Sequence, residues 1–482
     1  MKRILIRSGK SPFDVVSPEA VMRQSIGGAN LGNLVFSDSA YKMLLTPDVE
    51  LVPTRGDRIR PDDAARINEE YDAVVLPFAN AFRSQYERSL TTWTKVIERL
   101  RIPVVVLGIG AQSSLDYDLE RLRPIDESVK EFAKAVLDRS PSIGVRGEFT
   151  GHYLDSLGFK DVEVIGCPSM FRYGGELNVE KKASALGRDS RIAVSVTRDA
   201  GDIEKIVMAN FDRYPELVYF AQDHRELELL YWGDTSEAAD RHAEFPQHRS
   251  HPLFRDGRVR LHLDPVTWIR SLSEYDFAFG TRIHGTITAL LGGTPGMVLC
   301  HDSRTLELSR YFEIPYKKTT ELSADVDAAA LYEEADYTAL LKGHGERLDT
   351  MTGFLESHGL DHVYAAGGDG GASFEEGMRG LDFAPPIRAW DGEDDGGLGY
   401  RLGWLKENAA ELKRTQTRAD KHIDALTKRN KALEDALAKQ GKTLEKAVKR
   451  ITALERTARN TPYRRVRRTV GRPVRRILKG RE

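Results

Sequence analysis

Cysteine is nearly missing from this 482-residue chain: Cys167 and Cys300 are the only two, which excludes a disulfide framework and fits a reducing compartment. Long apolar runs are missing too. No stretch approaches the roughly 18–20 apolar residues that a membrane-spanning helix needs. The opening Met1 to Arg7 reads as a short strand interrupted by Arg7, without the longer apolar core and small-residue cleavage site of a signal peptide. Nor is there an excess of either charge: 71 Lys+Arg stand against 73 Asp+Glu, so the molecule as a whole is no general polyanion binder. No cluster of His, Cys and carboxylates has metal-ligand spacing, and no metal is expected. These absences together place the chain in the cytoplasm.

What is present is a long alternation of apolar strands and amphipathic helices. The chain is too long for one core and suggests two or three domains. In the first part, strands are expected at Arg3 to Ile6, Asp72 to Phe78, Val104 to Ile109, Ser142 to Val145 and Val162 to Ile165, with helices such as Thr91 to Leu100 and Ser128 to Leu137 between them. A polar, glycine-containing stretch from about Phe171 to Asp189 reads as a linker. A second series follows, with strands at Arg191 to Val196, Leu217 to Ala221, Phe277 to Phe279 and Gly296 to Cys300. Such alternation argues for parallel sheets. The expected fold is α/β: two Rossmann-like domains, 1–175 and 190–345, facing across a cleft as in GT-B glycosyltransferases, followed by a C-terminal coiled-coil helix.

The turns at the strand ends hold the candidate site residues. In Gly280-Thr281-Arg282-Ile283-His284-Gly285 a buried strand hands over to a helix, and the free N–H groups and dipole of a helix N-terminus favour anions. Arg282 and His284 there suggest a phosphorylated or carboxylated ligand that also needs a proton; a structural ion pair and a satisfied interior histidine are the alternative. Gly144-Val145-Arg146-Gly147 repeats the placement with Arg146. Gly27-Gly28-Ala29-Asn30 and Gly108-Ile109-Gly110-Ala111-Gln112 are turns that let backbone approach a ligand, which nominates Gly28, Asn30, Gly110 and Gln112. Cys167 has no neighbouring histidine or base in sequence and reads as a small buried residue.

This set of turns, in this order, resembles the polysaccharide pyruvyl transferase family. The carrying residues are Gly108 to Gln112, Gly144 to Gly147, Ile165-Gly166-Cys167-Pro168 and Gly280 to Gly285 with Thr294-Pro295 beyond, and the likeness spans roughly residues 1–320. The resemblance implies a GT-B-like fold and transfer of the enolpyruvyl unit of phosphoenolpyruvate onto two hydroxyls of a sugar in a cell-surface polysaccharide or its lipid- or nucleotide-linked precursor. Phosphoenolpyruvate is then a donor substrate, and no cofactor is expected. The resemblance places Arg146, Arg282 and His284 on phosphoenolpyruvate, and Arg304, in the turn after the next strand, matches a further basic position. His284 suits a general acid, and Gly28, Asn30, Gly110 and Gln112 suit the acceptor or loop backbone. The family often has a glycine-rich turn where this chain has Ala79-Asn80, on the acceptor side. A nucleotide-sugar glycosyltransferase of the same fold and a catalytically silent coiled-coil scaffold are the rival readings.

The last part changes character. Residues 361–400 hold ten glycines and a cluster of acids, a composition that cannot bury enough apolar surface to fold alone. They read as a flexible linker with a docked segment near Phe383 to Ile387 and Trp390. Over 401–460 apolar residues repeat every seven, at Leu402, Ala409, Ile423, Leu437, Leu444 and Ile451 and again at Leu405, Leu412, Ala419, Leu426, Leu433, Ala447 and Leu454. That is a coiled-coil seam, and Asn430 within the first series favours a parallel two-stranded register, hence a homodimer. The tail 461–482 has nine Lys and Arg against one acid, with apolar residues among them. It reads as a contact with an anionic membrane surface, which would hold the chain at the inner face of the membrane; nucleic acid is the less favoured partner.

Overall fold

The computed structural model describes residues 1–56, 58–198, 200–233, 245–390 and 397–460. It resolves two compact units, 1–391 and 392–482. The basic tail 461–482 lies outside the described residues.

The first unit is built on parallel sheets, as the runs of Val, Ile and Leu require. Strands buried on both faces read as continuous apolar stretches rather than alternating ones. β1 (Lys2–Arg7), β2 (Val49–Thr54), β3 (Ala73–Pro77) and β4 (Val104–Leu107) form a parallel sheet in the order β2-β1-β3-β4, with β3 and β4 buried throughout. A parallel pair, β5 (Ile143–Val145) and β6 (Val162–Val164), continues it through a bridge between Ile109 and Val145. The second sheet has six parallel strands in the order β12-β11-β10-β7-β8-β9: β7 (Ile192–Val194), β8 (Val218–Ala221), β9 (Val259–Leu261), β10 (Phe277–Gly280), β11 (Gly296–Cys300) and β12 (Tyr316–Lys318). One continuous core, from Ile4 and Ile6 through Val194, Phe277 and Leu299, runs under both sheets.

The two helices expected above occur with small shifts, as Glu87–Ile97 and Asp126–Leu137. Others come without a clear signal in the sequence. The helix Asn33–Leu44 follows the Gly27-Gly28 turn and is buried along almost its whole length, Asp38 and Lys42 included. The 361–400 stretch also departs from a plain linker. Its helix Ala372–Arg379 buries Phe374 and Met378 in the main core, and Ile387 exchanges both backbone hydrogen bonds with Leu261, so tertiary contacts supply the apolar surface that the segment lacks by itself.

The second unit is the helix Gly397–Asn460. At 1.5 Å per residue it is about 95 Å long. No described helix is long and apolar enough to cross a membrane.

Candidate active site

The carboxyl ends of strands from both sheets open onto one cleft of about 640 Å³, which is where ligands of parallel sheets bind. Its walls come from the turns after β1 (Ser8, Gly9), β3 (Ala79, Asn80), β5 (Arg146), β7 (Thr197), β8 (Gln222, Asp223) and β10 (Thr281, Arg282), together with Gly28 and Asn30. The turn of Gly28 and Asn30 is tied to the far wall: Leu31 N donates to Gln222 O at 2.9 Å and Asn30 forms a bridge with Asp223.

The turn after β10 depends on a glycine. Gly280 has φ +152°, and a Cβ there would lie 2.1 Å from Ser195 O. Its neighbours then reach across to β7: Thr197 N donates to Thr281 Oγ1 at 2.6 Å, and Arg282 N donates to Ser195 O at 3.1 Å. Arg282 pairs through Nη2 with the Asp223 carboxylate, while its Nε donates to Val196 O at 3.3 Å. His284 sits in the first turn of the helix Ile283–Leu291 and is buried. Its Nε2 lies 3.9 Å from Cys167 Sγ, and its ring lies 5.7 Å from that of Phe36. Cys167 therefore does have a histidine beside it, 117 positions away in sequence.

Arg146, also buried, follows β5 at the opposite wall. Nε donates to Gly108 O at 2.9 Å and Nη2 to Phe78 O at 3.2 Å, so backbone carbonyls fix the guanidinium, and among the described residues no carboxylate is hydrogen-bonded to it. Gly110 does not line the cleft. A Cβ at that position would lie 2.7 Å from Arg146 Cδ, so the glycine makes room for the arginine. Gln112 lines a neighbouring pocket and accepts a hydrogen bond from Asn80 Nδ2 at 2.7 Å. Arg304 does line the cleft, and its Nε donates to Asp302 Oδ2 at 2.5 Å.

Several lining residues have no signal in the sequence, and Arg83 is the one that adds charge beside Arg304 and Arg146. Arg83, six residues past β3, lies beside Arg304 and Arg146 and has no carboxylate partner among the described residues. Burial lowers its pKa first, and the charge of Arg304 lowers it further. Burial likewise lowers the pKa of Arg146, with Arg304 adding to the effect. His284 is pushed down to about 3, by burial first and then by Arg146 and Arg304. Its imidazole is therefore neutral near neutral pH with these surroundings. Behind Arg146, the Glu307 carboxyl accepts from Thr150 N at 3.1 Å and Thr150 Oγ1 at 3.0 Å, and burial raises its pKa to about 8.

An excess of fixed guanidinium charge around a neutral imidazole can bind a compact polyanion and make that imidazole basic once the anion arrives. Among the described residues no group of three or more His, Cys, Asp and Glu is placed to hold a metal ion.

Residues 30–303 match the family described as "Polysaccharide pyruvyl transferase". The match holds Asn30, Gly110, Gln112, Arg146, Arg282 and His284, and leaves Gly28 and Arg304 just outside. No curated protein matches the chain. Similar solved structures include the UDP-GlcNAc 2-epimerase of Methanocaldococcus jannaschii in complex with UDP-GlcNAc and UDP, 10% identical at a TM-score of 0.40 over 73% of this chain and 99% of that one. S. aureus MnaA with UDP is 15% identical at 0.39 over 72% and 94%, and the glycosyltransferase SnogD of Streptomyces nogalater 14% at 0.30 over 73% and 95%.

Proposed function

The chain belongs to the polysaccharide pyruvyl transferase family and is a transferase, and from that premise we propose that its cleft binds phosphoenolpyruvate and ketalises two hydroxyls of a glycan acceptor. On this reading the two parallel sheets are the halves of a GT-B-like enzyme. The observation that carries the donor assignment is the cluster of Arg83, Arg146 and Arg304 on the cleft of His284, in which Arg83 and Arg146 have no hydrogen-bonded carboxylate among the described residues. Guanidinium forks bind carboxylate and phosphate bidentately. Arg282, already paired with Asp223, orients more than it neutralises.

The reaction needs a proton on C3 of phosphoenolpyruvate, attack of one hydroxyl oxygen on the cationic C2 with loss of that hydroxyl's proton, and departure of phosphate as the second hydroxyl oxygen closes the ketal and gives its proton to the leaving phosphate. Arg146 and Arg304 hold the His284 pKa down, and an anion seated on them cancels that effect and raises it. His284 is thereby protonated after the donor binds and gives its proton to carbon. Gly28 and Asn30, on the same cleft, face the acceptor.

The test is calorimetric. Phosphoenolpyruvate binding to the wild type should take up a proton that His284→Gln does not, and the variant should bind the donor while releasing no phosphate with an acceptor. Equal proton uptake, or undiminished phosphate release, removes His284 from the acid role. We read the helix Gly397–Asn460 as one strand of a parallel homodimer and the basic tail as a contact with an anionic membrane surface. Failure of the full chain to sediment with anionic liposomes at low salt rejects the tail assignment.

A further inference from the structure

Ketal formation needs more than an acid. The first acceptor hydroxyl must give up its proton as its oxygen bonds to C2, and His284 has the opposite task of delivering one to C3. Among the described residues that line the cleft, Asp223 is the one Asp or Glu. The other polar lining side chains are guanidiniums, amides and hydroxyls, and none of these is a proton acceptor at neutral pH. The Asp223 carboxylate is also within reach of a ligand, with 34% of its side chain exposed.

Its seat is preformed and lies between the groups assigned above to donor and acceptor. Asp223 is the N-cap of the helix His224–Trp232, where the buried Glu226 carboxyl accepts from Gln222 N at 2.8 Å and Asp223 N at 2.9 Å. The Tyr219 hydroxyl donates to the same carboxyl. On one side the Asp223 turn is joined to the turn of Gly28 and Asn30: Asn30 bridges to Asp223, and His224 N donates to Ala29 O at 3.3 Å. On the other side Asp223 pairs with Arg282, two residues before His284. A Cβ at Gly32 would lie 2.8 Å from Gln222 Oε1 and 3.3 Å from His284 Cβ, so the residue before Asp223 and the proposed acid flank one glycine.

We propose that Asp223 is the general base for the attacking acceptor hydroxyl, held on Arg282 until the donor anion draws that guanidinium away. The assignment rests on the transferase reading above and adds the second proton carrier that the reaction requires. His284 gives its proton to C3. Asp223 takes the proton of the first hydroxyl while an electron pair of that oxygen forms the bond to C2. The second hydroxyl oxygen then bonds to C2 as the bond from C2 to the phosphate oxygen breaks, and its proton leaves with the phosphate. Asp223 returns its proton to solvent and His284 regains one, so the protein ends each cycle as it began. Pairing with Arg282 keeps the base occupied before the donor arrives, which orders the steps: donor first, deprotonation second.

The experiment compares the full-length wild type with Asp223→Asn, which keeps a residue favoured at a helix N-cap and so leaves folding intact. Donor binding is read by titration with phosphoenolpyruvate, and turnover by phosphate release with concentrated glycerol, which carries adjacent hydroxyl pairs, and with methyl glycosides of the common hexoses. The variant should bind phosphoenolpyruvate about two-fold tighter or more, because Arg282 is freed and a like charge beside the anion is gone. It should nevertheless release phosphate about 100-fold more slowly, the scale of a lost general base. A residue that only braced the turn would weaken donor binding instead. Unchanged phosphate release in Asp223→Asn overturns the base role. Donor binding equal to or weaker than that of the wild type overturns the hold on Arg282, and this arm decides the assignment if the wild type turns over none of the probe acceptors. Failure of the wild type to bind phosphoenolpyruvate is a failure of the donor reading and takes this assignment with it, whereas unchanged release by a variant that binds the donor is a failure of this assignment alone.

Discussion

Arg83 and Arg282 both line the cleft, yet their surroundings differ, and that difference ranks them. Arg282 has a carboxylate on its guanidinium, whereas Arg83 is partly buried beside two other arginines and, among the described residues, has no carboxylate hydrogen-bonded to it, the Asp302 charge acting only at a distance. An incoming dianion relieves repulsion at Arg83 and must compete with Asp223 at Arg282. Arg83→Ala should therefore weaken phosphoenolpyruvate binding by about 1.5–3 kcal/mol and Arg282→Ala by less. Isothermal titration of both variants checks this, and a larger loss at Arg282 reverses the ranking. Arg146, Arg282 and His284 were legible in the sequence because each directly follows an apolar strand. Arg83 was not: it sits in the turn region after Ala79-Asn80, and only the fold brings it to Arg304. Glu307 and the neighbours of Cys167 were hidden for the same reason, since their partners, Thr150 and His284, lie over a hundred residues away.

Among the elements, those strands were readable whose residues form unbroken apolar runs, as in β3, β4 and β11. β2, with Glu50 and Pro53, and β12, with two lysines in three residues, lie at the edges of their sheets, where burial no longer dictates composition. The helix Asn33–Leu44 escaped notice because it is buried on nearly every side and so shows no polar face to set its period. The C-terminal helix is the opposite case. Most of its large apolar residues fall on the heptad, Val448 aside, and in this unit those on the heptad are exposed, from 42% at Leu405 to 70% at Leu444. A solvated stripe of that length is costly to leave uncovered. The full-length protein should therefore sediment as a dimer at tens of micromolar, and Leu426→Glu with Leu433→Glu should render it monomeric without changing phosphoenolpyruvate affinity. A monomeric wild type ends the coiled-coil reading.

Across the whole first unit, the two sheets are joined at the cleft by hydrogen bonds rather than by a bare hinge. Ser303 N donates to Ser113 O and Ser113 N to Ser303 Oγ, and Glu307, from the helix Ser303–Phe312 after β11, is anchored on Thr150 at the start of the helix after β5. Glu307 also sets a pH signature. Its carboxyl keeps a proton in the folded state up to about 8, against an ordinary value of 4.5, so folding takes up a proton between those limits and this group's contribution to stability falls as pH rises through them. Denaturant midpoints of wild type and Glu307→Gln, compared from about pH 5 to about pH 8, should diverge in favour of the variant as pH increases. Parallel curves would mean that Glu307 is already ionised near pH 5.

The Ser113–Ser303 pairing has a consequence for turnover. Because the wall between the two sheets is stitched during folding, the cleft works as a fixed socket rather than as jaws, and the entropy of bringing its halves together is not lost anew in each cycle. A socket admits its acceptor only through the mouth.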